Sequence, residues 1–587
     1  MTQAVLILAW SPGEAEADAA ASQFIHALPD SARIQQRAGL LILDAHEGGA
    51  QEVAPGIFLL GDVFSGASVM RDQFAPRTQE EEGFETYCDL LLRRCWGDYL
   101  VLHHVPGASA HLSAFVEPMG RREWTEWIHR GVQVLTCDAE KWLGLLPPAD
   151  LAIDEAEVAH LIQYPDAVSD TCPLKGLVSL PPGAITRLDR SLPPGSWRLW
   201  RPRDYSIPSA RPADAATLLS LVDDCVAAWA KVAGPSAIEV SGGLDSAIVA
   251  SSLVQAAMPP LHAMSFFSDE LAGDERRFSR AIAEHLAIPT REFALLPQAM
   301  DEDMLSSLAT GLRPGIGSTT LFHDARLSNA CRAIGATSLF TGRGGDALFF
   351  QHATPLVAAG RWPLGQDKSV QSFETLARWC RCSIWSVARH ALLPSGKGMQ
   401  HSQPGNRFAR PISRPRPSLW AGALDGLSPA KQMQVRAIAG DRGAFGASRC
   451  AQNMRVVHPL LSQPLVEFAL GQSLMTLTAG RRDRALARAA FAHRLPQPVT
   501  ARRGKGALTS FFGRSLARST ALLRPYLLDG ALARADLVDR HALEKALAPE
   551  YLVQTDCYTE LLALITVEKW MRDWQGRLHE GAQEQAG

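Results

Sequence analysis

The chain has 587 residues, too many for a single hydrophobic core, so two or three domains are expected. Its composition of 47% apolar and 20% charged residues is that of a globular protein, and a net charge of −3 excludes a global electrostatic pull on nucleic acid. Ten scattered cysteines, of which the closest pair is Cys380 and Cys382 with no metal-site partners nearby, predict reduced thiols in a cytoplasmic protein.

The first apolar run, Ala4 to Trp10, has no basic residues before it and is too short to cross a bilayer. It predicts an opening strand and not a signal peptide, and no later stretch approaches a membrane span. Short apolar runs broken by Gly, Pro and Asp continue to about residue 200. Leu40–Leu43, Ile57–Leu60, Asp98–Leu102, Gly131–Leu135 and Ala184–Leu188 read as strands, and their close spacing predicts stacked antiparallel sheets. Pro193 to Pro202, followed by Pro208 to Pro212, reads as an irregular connector at a domain boundary.

From about residue 213 helix and strand alternate. Ala215–Trp229 is an amphipathic helix, and Ala237-Ile238-Glu239-Val240 is a strand that runs into the loop Ser241-Gly242-Gly243 and an alanine-rich helix ending near Ala257. Leu261–Phe267 reads as a strand, Glu275–Ala287 as a helix, Thr290–Phe293 as extended and Leu321–Ile334 as a helix. Ser338–Phe340 is then a strand leading into Thr341-Gly342-Arg343-Gly344-Gly345-Asp346. Alternation of this kind predicts a parallel, doubly wound sheet that binds ligands at the carboxyl ends of its strands. Both glycine loops lie at such ends, so they are expected to line one crevice, each with an aspartate. The 355–440 region has no clear pattern; Arg407–Pro411 and Ser413–Pro417 within it read as a basic, proline-rich solvated loop. Beyond 440 the chain reads as helical, including Pro464–Leu474, Arg482–Leu495 and Thr559–Trp574.

A strand, a glycine loop and a helix N-terminus make an anion cradle, because the free N–H groups of the first turn point at the ligand. Asp245 in such a cradle would repel a bare phosphate, and its presence is explained by a divalent cation bridging carboxylate and phosphates. The alternative is a plain strand-to-helix turn with Ser246 as cap, and Asp245 and Asp346 as turn or cap residues. Asp274 and Glu275 open a helix, where acidic residues suit the dipole; a metal role is the weaker reading. His323 and His352, near the loops in sequence, read as structural.

Ser241-Gly242-Gly243-Leu244-Asp245-Ser246 resembles the pyrophosphate loop of ATP pyrophosphatases that form AMP, a motif found in several amide-forming and RNA-modifying families. The second loop resembles a Ser-Gly-Glu-Gly-Ser-Asp-Glu segment of the asparagine synthetase superfamily, and a third match is Arg502-Arg503-Gly504-Lys505-Gly506 after Leu495–Val499. Asp483–Arg488 and His458–Ser462 fit the C-terminal pattern of that superfamily, and Trp96–Tyr99 and Leu180–Gly183 fit its N-terminal half. The resemblance implies an α/β multidomain protein. Residues 1–205 would be a degenerate class II glutaminase-like domain, an antiparallel β-sheet sandwich with helices. Residues 206–587 would be a parallel-sheet ATP pyrophosphatase (PP-loop) synthetase domain with added helices. It further implies ATP and pyrophosphate contacts from Val240, Ser241, Gly242, Gly243, Asp245, Ser246, Ser265, Thr341, Gly342 and Gly345, Mg2+ held by Asp245 and Asp346, and Lys505 as the group that stabilises the transition state. Lys505 also fits a solvated basic face with Arg502 and Arg503.

Departures from the pattern choose a branch. Glutamine-dependent members carry cysteine after the initiator methionine; here Thr2 stands there, and no Asn-Gly-Glu segment follows. Without a supply of ammonia, the amine is expected to come from the substrate itself, as in β-lactam synthetases and the cyclases that close lasso peptides. Ala347 in place of glutamate, followed by Phe349, and the segment Thr509–Phe512 after Lys505 resemble the lasso peptide cyclases. That branch implies a precursor peptide as substrate, a leader peptidase and a leader-recognition protein as partners, and neither nucleic acid nor membrane. β-Lactam synthetases use a tyrosine–glutamate pair with no counterpart in Ala347–His352, which ranks that branch second. A glutamine-independent asparagine synthetase-like ligase and an inactive peptide-binding scaffold complete the alternatives.

Overall fold

The computed structural model describes residues 5–27, 34–44, 49–70, 83–105, 111–165, 171–188, 195–206, 214–270, 273–315, 320–359, 370–392, 405–412, 420, 424, 426–479, 481–504, 506 and 508–586. Two antiparallel sheets stack in the first 200 residues, as expected. In one, Val5–Ala9 lies between Leu40–Asp44 and Val132–Thr136; in the other, Ile57–Ser65 and Trp96–Val105 pair from Ile57 opposite His103 to Phe64 opposite Trp96. Strand side chains alternate between faces. Ile7, Ile42 and Leu135 therefore meet Phe58, Leu60, Leu100 and Leu102 in the core between the sheets. Leu6, Leu8, Leu41 and Leu43 point the other way into a second core, with Phe24 of the helix Ala15–Ala27 and Leu561 of the helix Tyr558–Ala586. The centre of the first sheet is thus buried on both faces, which is why Val5–Ala9 and Leu40–Leu43 are continuous apolar runs. Each such leucine or isoleucine contributes on the order of 1.5–3 kcal/mol.

The connector reading needs correction at one point. Gly195–Arg198 pairs with Ala184–Leu188 as the edge strand of the second sheet, because Pro193 and Pro194 fall before the strand and remove no ladder donor from it. Pro208 and Pro212 lie outside the described residues.

The later half is built on a five-stranded, fully parallel sheet in the order Thr290–Leu295, Ala263–Ser268, Ser236–Glu239, Ser338–Phe340, Arg455–Val457. The chain winds outwards from Ser236–Glu239 in one direction and then returns to the other side of it. That strand and Ser338–Phe340 therefore flank the point where the strand order reverses, where doubly wound sheets bind ligands. Arg455–Val457, a three-residue strand that the sequence reading missed, closes the far edge.

The expected helix over 482–495 is confined to Ala485–Ala490, because Arg484 adopts a left-handed backbone (φ 51°). Pro464–Leu474 is two helices, Gln463–Gly471 and Leu474–Thr478, with Ser473 capping the second. The patternless region contains helices Val370–Cys380, Ile384–Leu392 and Pro429–Asp441. The 405–410 segment is no solvated loop: Phe408 and Ala409 are buried, and Arg407 and Arg410 pair with Glu560 and Asp536. Ser413–Pro417 lies outside the described residues. Among the described residues no helix is long and apolar enough to cross a membrane, and all ten cysteines are free thiols.

Candidate active site

The first glycine loop ends in the helix Leu244–Gln255, whose N-cap is Gly243 and not Ser246, so no side chain satisfies the first-turn amides. Leu244, Asp245 and Ser246 of that turn line the cavity between the two loops, so a helix start without a side-chain cap stands at a ready site for an anion. The Ser246 hydroxyl instead turns back to the Gly243 carbonyl (3.4 Å), and the Ser241 hydroxyl accepts from the Gly243 amide (3.4 Å).

The second loop is pressed against the first. A β-carbon added at Gly342 would overlap the Ser246 amide nitrogen, and one at Gly345 would overlap the Asp245 carboxyl carbon. Two backbones can approach this closely only where glycine leaves out the side chain. The approach brings Asp245 and Asp346 onto a common cation. Nη1 of Arg484 donates to Asp245 Oδ2 at 2.8 Å and to Asp346 Oδ1 at 2.6 Å, and the same guanidinium pairs with Asp483 at 3.0 Å. The arginine side chain is 7% exposed, Asp245 11% and Asp346 36%. Burial alone would favour a neutral arginine, but Asp245, then Asp346 and Asp483, outweigh it and hold the guanidinium charged. Gln351, with its NH2 turned to Asp346, adds a second donor.

The carboxylates fit a divalent cation. Among the described residues no group of three or more His, Cys, Asp or Glu is placed to hold a metal, but Mg2+ needs only one or two carboxylates when phosphate oxygens and water complete its shell. Two carboxylates that already converge on one positive nitrogen meet that need.

The loop is anchored behind Thr341 by His458. Nδ1 lies 2.7 Å from the Thr341 hydroxyl and Nε2 lies 3.2 Å from the Ala444 carbonyl. A carbonyl only accepts, so Nε2 carries the proton and Nδ1 accepts from Thr341, whose oxygen in turn accepts from the Arg343 amide at 3.1 Å. Burial pushes the His458 pKa down to about 3, with Arg121 and Arg343 acting in the same direction, so the ring is neutral. Arg121, from the antiparallel half, donates to the His458 carbonyl at 3.2 Å and lies 4.1 Å from the Trp229 ring, which seats that half directly behind the second loop.

Of the expected site residues, Ser241, Gly243, Asp245, Ser246, Thr341, Gly342 and Asp346 line the cavity. Val240 and Ser265 are buried within the sheet region, and Gly242 and Gly345 sit behind the lining, Gly345 as the spacer just described. Lys505 lies outside the described residues. Asp274 is engaged with Arg276 at 2.6 Å, away from any metal role. His323 lines the inner end of the cavity, 3.8 Å from Glu239, and burial holds its pKa below the usual range; His352 does not line it. Arg484, Arg488 and Arg502 are cavity residues to which the sequence reading gave no role.

No curated protein matches the chain. Among solved structures it is similar at 10% identity to a glutamine phosphoribosylpyrophosphate amidotransferase from B. subtilis complexed with ADP and GMP, over 58% of this chain and 84% of that one, with a TM-score of 0.20. A second, titled as the allosteric regulatory enzyme of purine biosynthesis, is 11% identical over 66% of this chain and 86% of that one, again with a TM-score of 0.20. Scores this low say nothing about fold or activity, and the sheet order gives the fold directly. The asparagine synthase family model matches residues 217–572, more than half of the chain and all five parallel strands with both glycine loops. The chain belongs to the asparagine synthase family.

Proposed function

We propose that this member of an ATP-dependent amide ligase family is a lasso peptide cyclase. It adenylates an Asp or Glu side-chain carboxylate of a precursor peptide and joins it to the peptide's own N-terminal amine. The observation that carries the nucleotide chemistry is the convergence of Asp245 and Asp346 on one cation beside an uncapped helix N-terminus.

A free carboxylate does not form an amide in water until it acquires a leaving group. The substrate carboxylate oxygen bonds to the α-phosphorus of ATP as the bond to the β-phosphate oxygen breaks, giving an acyl-adenylate and pyrophosphate. The first-turn amides and Ser241 cradle the departing pyrophosphate. Asp245 and Asp346 would hold Mg2+, which neutralises charge on the phosphates when bound. The amine nitrogen then attacks the acyl carbon and loses a proton, and the C–O bond to AMP breaks. Lys505 stabilises the oxyanion and the leaving AMP.

Three features favour the cyclase reading. Thr2 replaces the ammonia-releasing cysteine. Ala347, where asparagine synthetases have glutamate, is 3% exposed and packed in the core. None of the seven tyrosines lines the cavity, which counts against the tyrosine–glutamate pair of β-lactam synthetases. The test is incubation with ATP, Mg2+ and linear core peptides, read by mass spectrometry and nucleotide chromatography. A cyclase yields a product lighter by one water with equimolar AMP and pyrophosphate. Formation of AMP with free aspartate or a small amino acid, and none with peptide, would instead assign a small-amine ligase. A leader peptidase and a leader-recognition protein are the partners this reading implies.

A further inference from the structure

Glu275 occupies the N-cap of the helix Arg276–His285, yet its side chain makes no capping bond; Asp274 takes the Arg276 amide at 3.1 Å instead. The Glu275 carboxylate is spent on a segment more than 220 residues away. Its Oε1 accepts from the Gly506 amide at 2.6 Å and from Nη2 of Arg502, in an ion pair whose side chains are only 15% and 12% exposed. Arg502 itself spans the gap between segments. Its Nη1 donates to the Gly242 carbonyl at 3.0 Å, its Nε donates to the Gly504 carbonyl at 2.6 Å, and its guanidinium lies 4.1 Å from the Phe278 ring. Both glycines are fitted to the same acid: a β-carbon at Gly506 would stand 2.7 Å from Glu275 Oε1, and one at Gly242 3.0 Å from the Glu275 carbonyl.

We propose that Glu275 is a positioning residue of the ATP site, holding Arg502 and the Gly506 amide so that the Arg502 guanidinium is seated on the first glycine loop. The inference rests on the reading of that loop as a pyrophosphate cradle. The electrostatics sharpen it. A carboxylate close to an anion site opposes anion binding by its charge alone, so an acid acting only through charge would bind pyrophosphate better once removed. An acid that aims cations at the site would bind it worse. A purely structural helix-start residue would change neither.

Three proteins decide it: wild type, E275A and E275Q. Pyrophosphate binding with Mg2+ is measured by titration calorimetry. Cleavage of the folded protein by trypsin after Arg502, Arg503 and Lys505 is timed by mass spectrometry, since Arg503 is exposed beside the clamp. The expected result is that E275A weakens pyrophosphate about tenfold, and E275Q, which keeps both acceptor contacts but loses the charge, about threefold. Tryptic cleavage should accelerate in the same order, with the thermal unfolding midpoint of E275Q unchanged. Unchanged or tighter pyrophosphate binding in E275A, or unchanged cleavage, overturns the proposal. A wild type that binds no pyrophosphate with Mg2+ overturns the cradle reading itself, and the positioning role falls with it.

Discussion

The two glycine loops share a pattern of glycines followed by an aspartate, but they are held in place by different means. The first takes its shape from its own elements, strand Ser236–Glu239, the turn, and a twelve-residue helix beginning at Leu244, to which Arg502 on the Gly242 carbonyl and Arg484 on Asp245 add remote contacts. The second opens only a four-residue helix, Gly345–Leu348, and owes its position to remote groups. His458 holds Thr341, Arg484 and Gln351 hold Asp346, and Arg121 of the antiparallel half braces His458 from behind. A loop with its own strand and full helix keeps its backbone shape when a remote contact is lost. A loop held from outside can be loosened from several distant positions, including the antiparallel half of the chain. That half therefore has a structural part in the site whatever its chemistry.

Substitutions can break or sharpen this contrast. The largest effect is expected from Asp245→Ala, since the carboxylate is buried: about 100- to 1000-fold loss of ATP-dependent AMP formation. Asp346→Ala, on the more exposed carboxylate, should lose only about tenfold to 100-fold in the same assay. Equal losses would mean that the loops are equivalent.

Arg484→Met leaves two carboxylates facing each other without their cation. It should cost about 3 kcal/mol of stability in urea unfolding without Mg2+, the lower end for a broken buried pair because Asp346 is partly exposed. Millimolar Mg2+ should restore more stability to the variant than it adds to wild type, and no restoration would remove the cation site. Gly345→Ala should cost about 1–3 kcal/mol, because its β-carbon strikes Asp245. Gly243→Ala, which meets only the Ser241 hydroxyl at 3.2 Å, should cost under about 1 kcal/mol in thermal unfolding.

A further test is a pH dependence. His458 is neutral when folded, with its pKa lowered to about 3 from 6.5. Between those values the unfolded chain binds the extra proton, so this histidine's contribution is fully present above pH 6.5 and is lost as the pH falls towards 3. The slope is at most about 1.4 kcal/mol per pH unit. His458→Gln should flatten that part of a stability–pH curve; an unchanged curve would mean the ring is already protonated in the fold.

The same contrast explains what could be read in the sequence. The first loop follows from a β-favouring run, two glycines and an alanine-rich segment, all within Ala237–Ala250, so strand, turn and helix were legible. The antiparallel strands were legible because burial on both faces leaves uninterrupted apolar runs such as Val5–Ala9. Arg484 was not. It stands in a run with good helix propensity, yet its backbone is left-handed and its guanidinium meets three carboxylates, two of them more than 130 residues away. Arg455–Val457 was missed because a three-residue strand carries no measurable periodicity and is fixed by its neighbour Ser338–Phe340. Glu275 looked like a dipole residue since helix starts favour acids, and its partners are more than 220 residues away.

The central claim is that both loops form one cation-dependent pyrophosphate site, and titration of pyrophosphate into wild type, Asp245→Ala and Asp346→Ala, each with Mg2+ and with EDTA, tests it most directly. The account predicts one pyrophosphate per wild-type chain with Mg2+, none measurable in EDTA, and loss or severe weakening in either variant. Binding that persists in EDTA, or Asp346→Ala binding as tightly as wild type, would contradict it.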